Sequence, residues 1–130
     1  MITLKKMASG VTLVTEKMEH MKSASVGIWV KAGAVNEEPE IAGISHFIEH
    51  MMFKGTENRT AKEIAEDVDR IGAQINAFTG KEATCYYIKT LGTNLRQSFE
   101  ILFDMFEGSV FDEEEMEREK LVIYEEMKMI

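Results

Sequence analysis

Several residue types are scarce in this chain, and their scarcity excludes whole classes of protein. Among the 130 residues there is one cysteine and one proline. A single cysteine cannot form an internal disulfide or a cysteine-cluster zinc site. No apolar run approaches the roughly eighteen residues that a membrane span needs, and the first residues lack the apolar stretch of a signal peptide. We therefore expect a cytoplasmic protein without a membrane partner.

Basic residues are also in deficit. The 15 lysines and arginines are outnumbered by 23 aspartates and glutamates, which gives a formal net charge of −8. The sequence has no basic patch for nucleic acid, so this class of partner is excluded. Hydrophobic residues form 45% and charged residues 29% of the chain, which is typical of a globular domain with its own core.

Apolar periodicity and turn signals predict an α+β fold. The predicted elements are strands over 2–6, 11–16 and 23–32, helices over 41–53 and 60–72, strands over 74–79 and 82–91, and helices from 94 and from 112. This order favours an antiparallel sheet covered by helices on one face. We expect one domain over 1–130. Because the last helix is expected to be still running at the apolar Ile130, we also expect a fragment or one half of a larger protein.

His46, Glu49 and His50 form the pattern H-x-x-E-H inside the predicted 41–53 helix. Side chains four residues apart lie one turn apart on the same helix face, so both imidazoles can reach one metal ion. Glu49 leaves from the same side, close enough to act as a base on a metal-bound water. This is the mirror order of the H-E-x-x-H zinc peptidase motif, and it predicts metal-assisted peptide hydrolysis.

The alternative is a solvated helix face that happens to contain two histidines. The helical wheel places Ile44, Ile48 and Met51 on one face, which we expect to be buried, and the three motif residues on the other. The motif alone supports the two interpretations comparably. Two of the three histidines of the chain lie in it, however, and this favours the metal site.

Zinc needs a third protein ligand, and the last predicted helix is rich in carboxylates. On its wheel Glu126 lies at the edge of an apolar stripe, whereas Glu125 falls among solvent-facing acids. A carboxylate that faces the interior must be paired or bound to a metal. Glu126 is therefore the predicted third ligand. The stripe consists of Met116, Ile123, Met127 and Ile130.

Two further alternatives concern the surroundings of this site. Glu119 lies two turns before Glu126 on the same face, where it either holds a ligand imidazole by its second N–H or is one more surface acid. Two histidines and a carboxylate also suit iron or manganese, but the spacing favours zinc.

Longer stretches of the chain resemble the pitrilysin/insulinase family of zinc peptidases, especially its mitochondrial-processing-peptidase-like bacterial members. The matching strings, in the family's order, are GIWVKAGAVNE, GISHFIEHMMFKGTENRT, GAQINAFTGKEATCYYIKTL and EREKLVIYEEMKM. The resemblance implies the fold of the amino-terminal half-domain of such a peptidase. It also implies Zn²⁺ as cofactor with Glu126 as the distal ligand, support of the site by Glu119, and Glu49 as general base.

The resemblance further implies the substrate and the partner. An extended peptide or unfolded polypeptide adds a strand to the edge Gln74–Thr79, where Asn76 and Ala77 offer contacts; the alternative is that these two are ordinary edge-strand residues. Family members have a second, similar half that closes a chamber over the site. The expected function is thus a zinc endopeptidase, seen as its active-site half. The alternative is a non-catalytic subunit or fragment that keeps the fold for assembly or peptide capture.

Overall fold

The computed structural model of the protein describes residues 1–129. The strands of this part of the chain are β1 (Ile2–Lys6), β2 (Thr12–Glu16), β3 (Ser23–Val30), β4 (Gln74–Thr79) and β5 (Thr84–Leu91). Its α-helices are α1 (Ile44–Met51), α2 (Ala61–Arg70), α3 (Leu95–Gly108) and α4 (Glu113–Lys128). Short 3₁₀ turns cover Ala34–Asn36, Pro39–Ile41 and Gly92–Asn94.

The main sheet has the strand order β3-β5-β4, and both of its pairings are antiparallel. Its register brings Val26, Ile88 and Ile75 into one row. Because alternate side chains of a strand point to opposite faces, this row turns towards the helices and joins the core. The predicted α+β fold, an antiparallel sheet with helices on one face, is therefore confirmed. The buried core consists of Met52, Ile64, Val68, Ala73, Tyr86, Ile88, Ile101, Leu102 and Met105.

The hairpin predicted at the start of the chain is also present. β1 and β2 pair antiparallel, with Leu4 opposite Val14, and form a separate two-stranded sheet. All residues of both strands are exposed. Among residues 1–129, no helix has both the length and the apolar character required to cross a membrane.

The helix that carries the H-x-x-E-H pattern is shorter than the expected 41–53. Pro39 opens a separate 3₁₀ turn, and Gly43 then takes the left-handed conformation with φ of 90°. A helix cannot continue through a left-handed residue, so α1 begins at Ile44. Gly43 supplies the sharp entry because glycine adopts this conformation without steric cost.

Other predicted boundaries also shift. β5 begins at Thr84 rather than at residue 82, because the turn is wider than two residues and Gly80 N–H bonds to the carbonyl of Ala83 at 2.8 Å. β3 ends at Val30, because the N–H of Ala32 donates a hydrogen bond to the carbonyl of Val30 and the chain turns there. α4 ends at Lys128, and the expectation that it is still running at Ile130 lies outside the described residues.

The buried face of α4 differs from the predicted apolar stripe. Its buried residues are Glu119 and Ile123, whereas Met127 is about half exposed. The stripe prediction is wrong at Met127 because α4 directs its Glu119 and Glu126 side towards α1. The face of α4 that packs against the rest of the domain is therefore partly polar, with Glu119 and Ile123 both buried.

A polar cluster fixes the segment that follows α1. Arg59 bonds to Asp67 at 2.9 Å and to Asp104 at 2.8 Å, and the hydroxyl of Thr56 donates to Asp104 at 2.7 Å. Burial raises the pKa of the Asp104 carboxyl, but hydrogen bonds from Thr56, Asn58 and Arg59 outweigh that effect, and the pKa lies below its usual range. This cluster ties the end of α1 to α2 and α3.

Candidate metal centre

The start of α1 is held by an acidic side chain from the preceding loop. The Glu37 carboxylate accepts hydrogen bonds from the backbone N–H groups of Gly43 and Ser45, both at 2.8 Å. These are amides that the helix itself leaves unpaired. The Ser45 amide in particular lowers the pKa of the Glu37 carboxyl. Glu37 thereby fixes the direction in which α1 presents its side chains.

His46, His50 and Glu126 converge between α1 and α4. The Nε2 atoms of the two histidines are 2.9 Å apart. An oxygen of Glu126 lies 3.2 Å from Nε2 of His46 and 3.5 Å from Nε2 of His50. The Glu126 side chain is 45% exposed and that of His50 is 21% exposed, so the three groups meet at the edge of a groove that solvent reaches.

The donor set fits a zinc ion. Two imidazole nitrogens and one carboxylate oxygen, with a fourth position left free, form a common catalytic zinc set. Zn–N and Zn–O bonds of roughly 2.0–2.2 Å in a tetrahedral arrangement place ligand atoms about 3.3–3.5 Å apart. The separations observed here, between 2.9 and 3.5 Å, are of that size. The three residues would hold one ion with little movement of their side chains.

Glu119 lies behind His50, on the side away from Glu126. One of its oxygens is 2.8 Å from Nδ1 of His50 and the other is 2.8 Å from the ammonium of Lys54. Burial raises the pKa of the Glu119 carboxyl, but the bonds from Lys54 and His50 outweigh it and lower the pKa. An ionised carboxylate only accepts, so the His50 proton is assigned to Nδ1. Nε2 of the same ring then faces Glu126 and His46.

Glu49 leaves α1 towards β4. Its carboxylate accepts a hydrogen bond from the hydroxyl of Thr79, the last residue of that strand. Burial and the negative charge of Glu49 raise the pKa of the neighbouring Tyr86 phenol to about 12. Glu49 therefore has one fixed donor and lies beside the end of the edge strand.

An open cleft of about 730 Å³ runs along α1 and the end of β4. His46 and Glu49 line one wall, and the residues from Ala77 to Lys81 line the other. The loop after β3 closes one end, because Ala34 N–H and Val35 N–H donate to the carbonyls of Gly80 and Lys81 at 3.2 and 2.9 Å. A chain lying along β4 would thus pass directly in front of the motif.

Asn76 and Ala77 lie on β4, which is an edge strand of the main sheet. Asn76 is exposed, and its side-chain oxygen accepts the backbone N–H of Ala77 at 2.8 Å. The Ala77 amide is thus satisfied by a movable side chain. An incoming strand that offers a carbonyl at this position can replace that contact.

The structure brings His46, His50 and Glu126 together, with Glu49 beside them and Glu119 behind them, whereas Asn76 and Ala77 lie on the edge strand. Their roles stay predictions. The predicted burial of Ile44 and Ile48 is wrong, because both are exposed while Met51 is buried. α1 is rotated so that its polar face packs against α4 and β4, and solvent reaches part of the predicted apolar face.

Sequence reasoning missed three side chains around the site: Glu37, Lys54 and Thr79. Thr79 has a usable signal, because alternation along β4 places it on the same face as Ile75 and Ala77. Lys54 follows His50 by four residues, although it lies beyond the end of α1. Glu37 has no periodic signal, because it lies in a loop.

Comparison with known proteins identifies the family of this chain. Residues 12–130 match the model of the insulinase family (peptidase family M16). The chain is 52% identical over 121 residues to "Uncharacterized zinc protease YmxG" of Bacillus subtilis (strain 168), covering 93% of this chain and 30% of that protein. It is 40% identical over 122 residues to "Probable mitochondrial-processing peptidase subunit beta, mitochondrial" of Arabidopsis thaliana, covering 94% of this chain and 23% of that protein.

A solved structure shares the fold over nearly the whole chain. The crystal structure of a protease from Helicobacter pylori superimposes with a TM-score of 0.93 at 31% identity, covering 99% of this chain and 31% of that one. The chain thus spans about a third or less of the length of these proteins. Fold and sequence agree that the chain belongs to the insulinase family of peptidases, family M16.

Proposed function

We propose that this chain is the active-site half of a zinc endopeptidase. The observation that carries the proposal is the convergence of His46, His50 and Glu126 within a few ångströms, with Glu49 in the adjoining cleft. Membership of a peptidase family and relatives named as zinc proteases support it. The same donor set is compatible with iron, but the relatives' names favour zinc.

His46, His50 and Glu126 would hold the ion. A bound Zn²⁺ supplies a Lewis acid that polarises the scissile carbonyl and lowers the pKa of a water towards neutrality. Glu119 keeps the His50 ring oriented by accepting its Nδ1 proton. Such an outer contact fixes the tautomer of a ligand histidine.

Glu49 is the proposed general base. Its carboxylate takes a proton from the attacking water and delivers it to the leaving amine, so that one residue serves both steps. Thr79 donates to one carboxylate oxygen and leaves the other free for this transfer. Thr79 is therefore proposed to orient the base.

The proposed substrate is an extended peptide or an unfolded polypeptide. It would pair with the free edge of β4, where the Ala77 amide exchanges the Asn76 oxygen for a substrate carbonyl. Strand pairing uses backbone groups, which every sequence offers, and so places a scissile bond without demanding one particular side chain. His46 and Glu49 line the cleft beside the same strand, which supports this binding mode.

A second homologous half-domain or subunit is the proposed partner. The chain spans about 30% of the length of the Bacillus subtilis relative, and the Arabidopsis thaliana relative is named as one subunit of a peptidase. Such a second half would cover the open cleft and add contacts to the substrate. The cytoplasmic location expected from the sequence stays a prediction.

The test is hydrolysis of a fluorescently labelled unfolded polypeptide by the zinc-loaded protein, alone and with its second half. Cleavage should stop on chelation and fall by at least about 100-fold in Glu49→Gln, since a general base contributes roughly 10²–10⁴-fold, while zinc stays bound. Undiminished cleavage by Glu49→Gln would refute the assignment. A zinc-loaded wild type that binds the polypeptide and leaves it intact in both settings would favour a peptide-capturing subunit.

A further inference from the structure

Lys54 takes part in a chain of contacts that ends at Nδ1 of His50, the ring nitrogen opposite the one that faces His46 and Glu126. The Lys54 ammonium lies 2.8 Å from one Glu119 oxygen, and the other oxygen lies 2.8 Å from Nδ1 of His50. His50 lies in the last turn of α1, and Lys54 lies four residues later, just beyond the end of this helix. A single carboxylate from α4 thus bridges two consecutive turns of the chain.

The Lys54–Glu119 ion pair is more buried than an ordinary surface ion pair. The Glu119 side chain is only 6% exposed and that of Lys54 is 35% exposed. By contrast, Lys62 and Glu66 are 3.8 Å apart, with side chains 85% and 52% exposed, and pairs of that kind contribute little. A buried carboxylate must have its oxygens satisfied, and at Glu119 both oxygens have a charged or polar partner.

The geometry assigns a positioning role to Lys54. With one oxygen bound to Lys54, the carboxylate of Glu119 has a fixed plane, and its second oxygen is aimed at Nδ1 of His50. The imidazole is then held with Nε2 towards His46 and Glu126. We infer that Lys54 acts through Glu119 to set the orientation of the His50 ring, and that this raises the affinity of the site for zinc. The affinity part rests on the zinc site of the proposed function.

A purely structural role is the alternative. Lys54 also ties the end of α1 to α4 through Glu119, and this tie alone would stabilise the fold. A structural role changes the free energy of unfolding but leaves the His50 ring and the zinc affinity of the folded protein unchanged. Readouts at the His50 ring and at the metal therefore separate the two roles.

The variants are Lys54→Met, Lys54→Arg and, as matched control, Lys62→Met on the exposed pair. In metal-free protein, the Nδ1 proton of His50 is followed by ¹⁵N-edited NMR. It should exchange slowly in wild type and in the control, and be lost in Lys54→Met. Zinc affinity is measured by competition with a chelating dye. In Lys54→Met it should fall by about threefold or more, but by less than the roughly 10–100-fold loss that is typical when a residue in contact with a metal ligand is changed. Lys54→Arg should lie nearer to wild type.

Glu119→Gln keeps the test decisive if Lys54→Met does not fold. The Gln variant has no buried charge that needs an ammonium, so Lys54→Met added to it should fold. If Lys54 acts only through the Glu119 carboxylate, Glu119→Gln and the double variant Glu119→Gln/Lys54→Met bind zinc with equal affinity. A further threefold loss in the double variant would overturn the inference, as would a Lys54→Met protein with wild-type affinity and a wild-type His50 proton signal. If wild type binds no zinc, the proposed function fails, and the His50 proton in metal-free protein still decides the role of Lys54.

Discussion

Gly33 is the position where a single added methyl group should disturb the cleft most directly. Gly33 is buried, and its φ of −153° is ordinary extended backbone, so glycine is not required there for its conformation. The requirement is space. A Cβ atom at this position would lie 2.5 Å from the carbonyl oxygen of Gly80 and 2.6 Å from that of Lys81. Both obstacles are backbone atoms, so the loop and the turn must separate to admit it.

The cost of Gly33→Ala follows from these contacts. Separating the segments breaks the bonds from the amides of Ala34 and Val35 to the same two carbonyls, at about 1 kcal/mol each. Forcing a methyl group into a packed region costs a further 1–3 kcal/mol or so. Alanine also restricts the unfolded chain more than glycine does, and this offsets about 0.4–1 kcal/mol of the loss in stability. The expected loss in the free energy of unfolding is therefore about 2–5 kcal/mol.

Urea denaturation of Gly33→Ala beside Gly27→Ala provides the assay. At Gly27 the nearest atoms to an added Cβ are side-chain atoms, Nε1 of Trp29 at 3.4 Å and Sγ of Cys85 at 3.7 Å. Side chains can yield by a few tenths of an ångström, so the control should stay within about 1 kcal/mol of wild type. Equal stability of the two variants would refute the account of how the loop closes the cleft.

Three further predictions follow from individual contacts. Thr79→Val removes the hydroxyl that donates to Glu49; hydrolysis should fall about tenfold with zinc affinity unchanged, and an unchanged rate argues against an orienting role. Glu37→Ala removes the side chain that caps α1 and should cost about 0.5–2 kcal/mol in urea unfolding, whereas the neighbouring Glu38→Ala should cost little. The pKa of Asp104 is lowered in the folded protein, so this carboxylate stabilises the fold above its unfolded pKa of about 3.9 and stops doing so as the pH falls through its folded pKa. Asp104→Asn should therefore lower the free energy of unfolding by about 1–3 kcal/mol at pH 7 and make it depend less on pH in acid. An equal loss of stability in acid for both proteins would contradict this.

Local patterns were enough to predict the fold class and the order of its elements. The capping box of Thr60 and Glu63 marks the start of α2, and both of its hydrogen bonds are present. The apolar rows of the sheet follow from alternation alone. Boundaries were less predictable. The wider turn at Gly80 packs against a segment distant in sequence, the loop at Ala34 and Val35, and the left-handed Gly43 is held by Glu37 from a loop without periodicity.

In the candidate site, too, local patterns predict some residues, and contacts between distant segments determine others. His46, Glu49 and His50 are within one helix, so their spacing alone predicts that they share a face. The wheel of α4 predicts Glu126 at the edge of the buried face, although it also predicts burial of Met127, which is half exposed. The wheel reports periodicity but not which face a neighbouring helix covers. Lys54 reaches Glu119 only because α4 packs against α1, and this packing has no counterpart in sequence spacing.

The proposed function depends on a three-ligand zinc site built from α1 and α4. The most direct measurement is the zinc content and affinity of the protein beside two adjacent variants, Glu126→Gln and Glu125→Gln. Glu126 faces both histidines, whereas Glu125 bonds to Lys128 at the surface. We expect about one zinc per chain, with the affinity for zinc reduced in Glu126→Gln and unchanged in Glu125→Gln. A folded protein that binds no zinc, or equal affinities for the two variants, would contradict it.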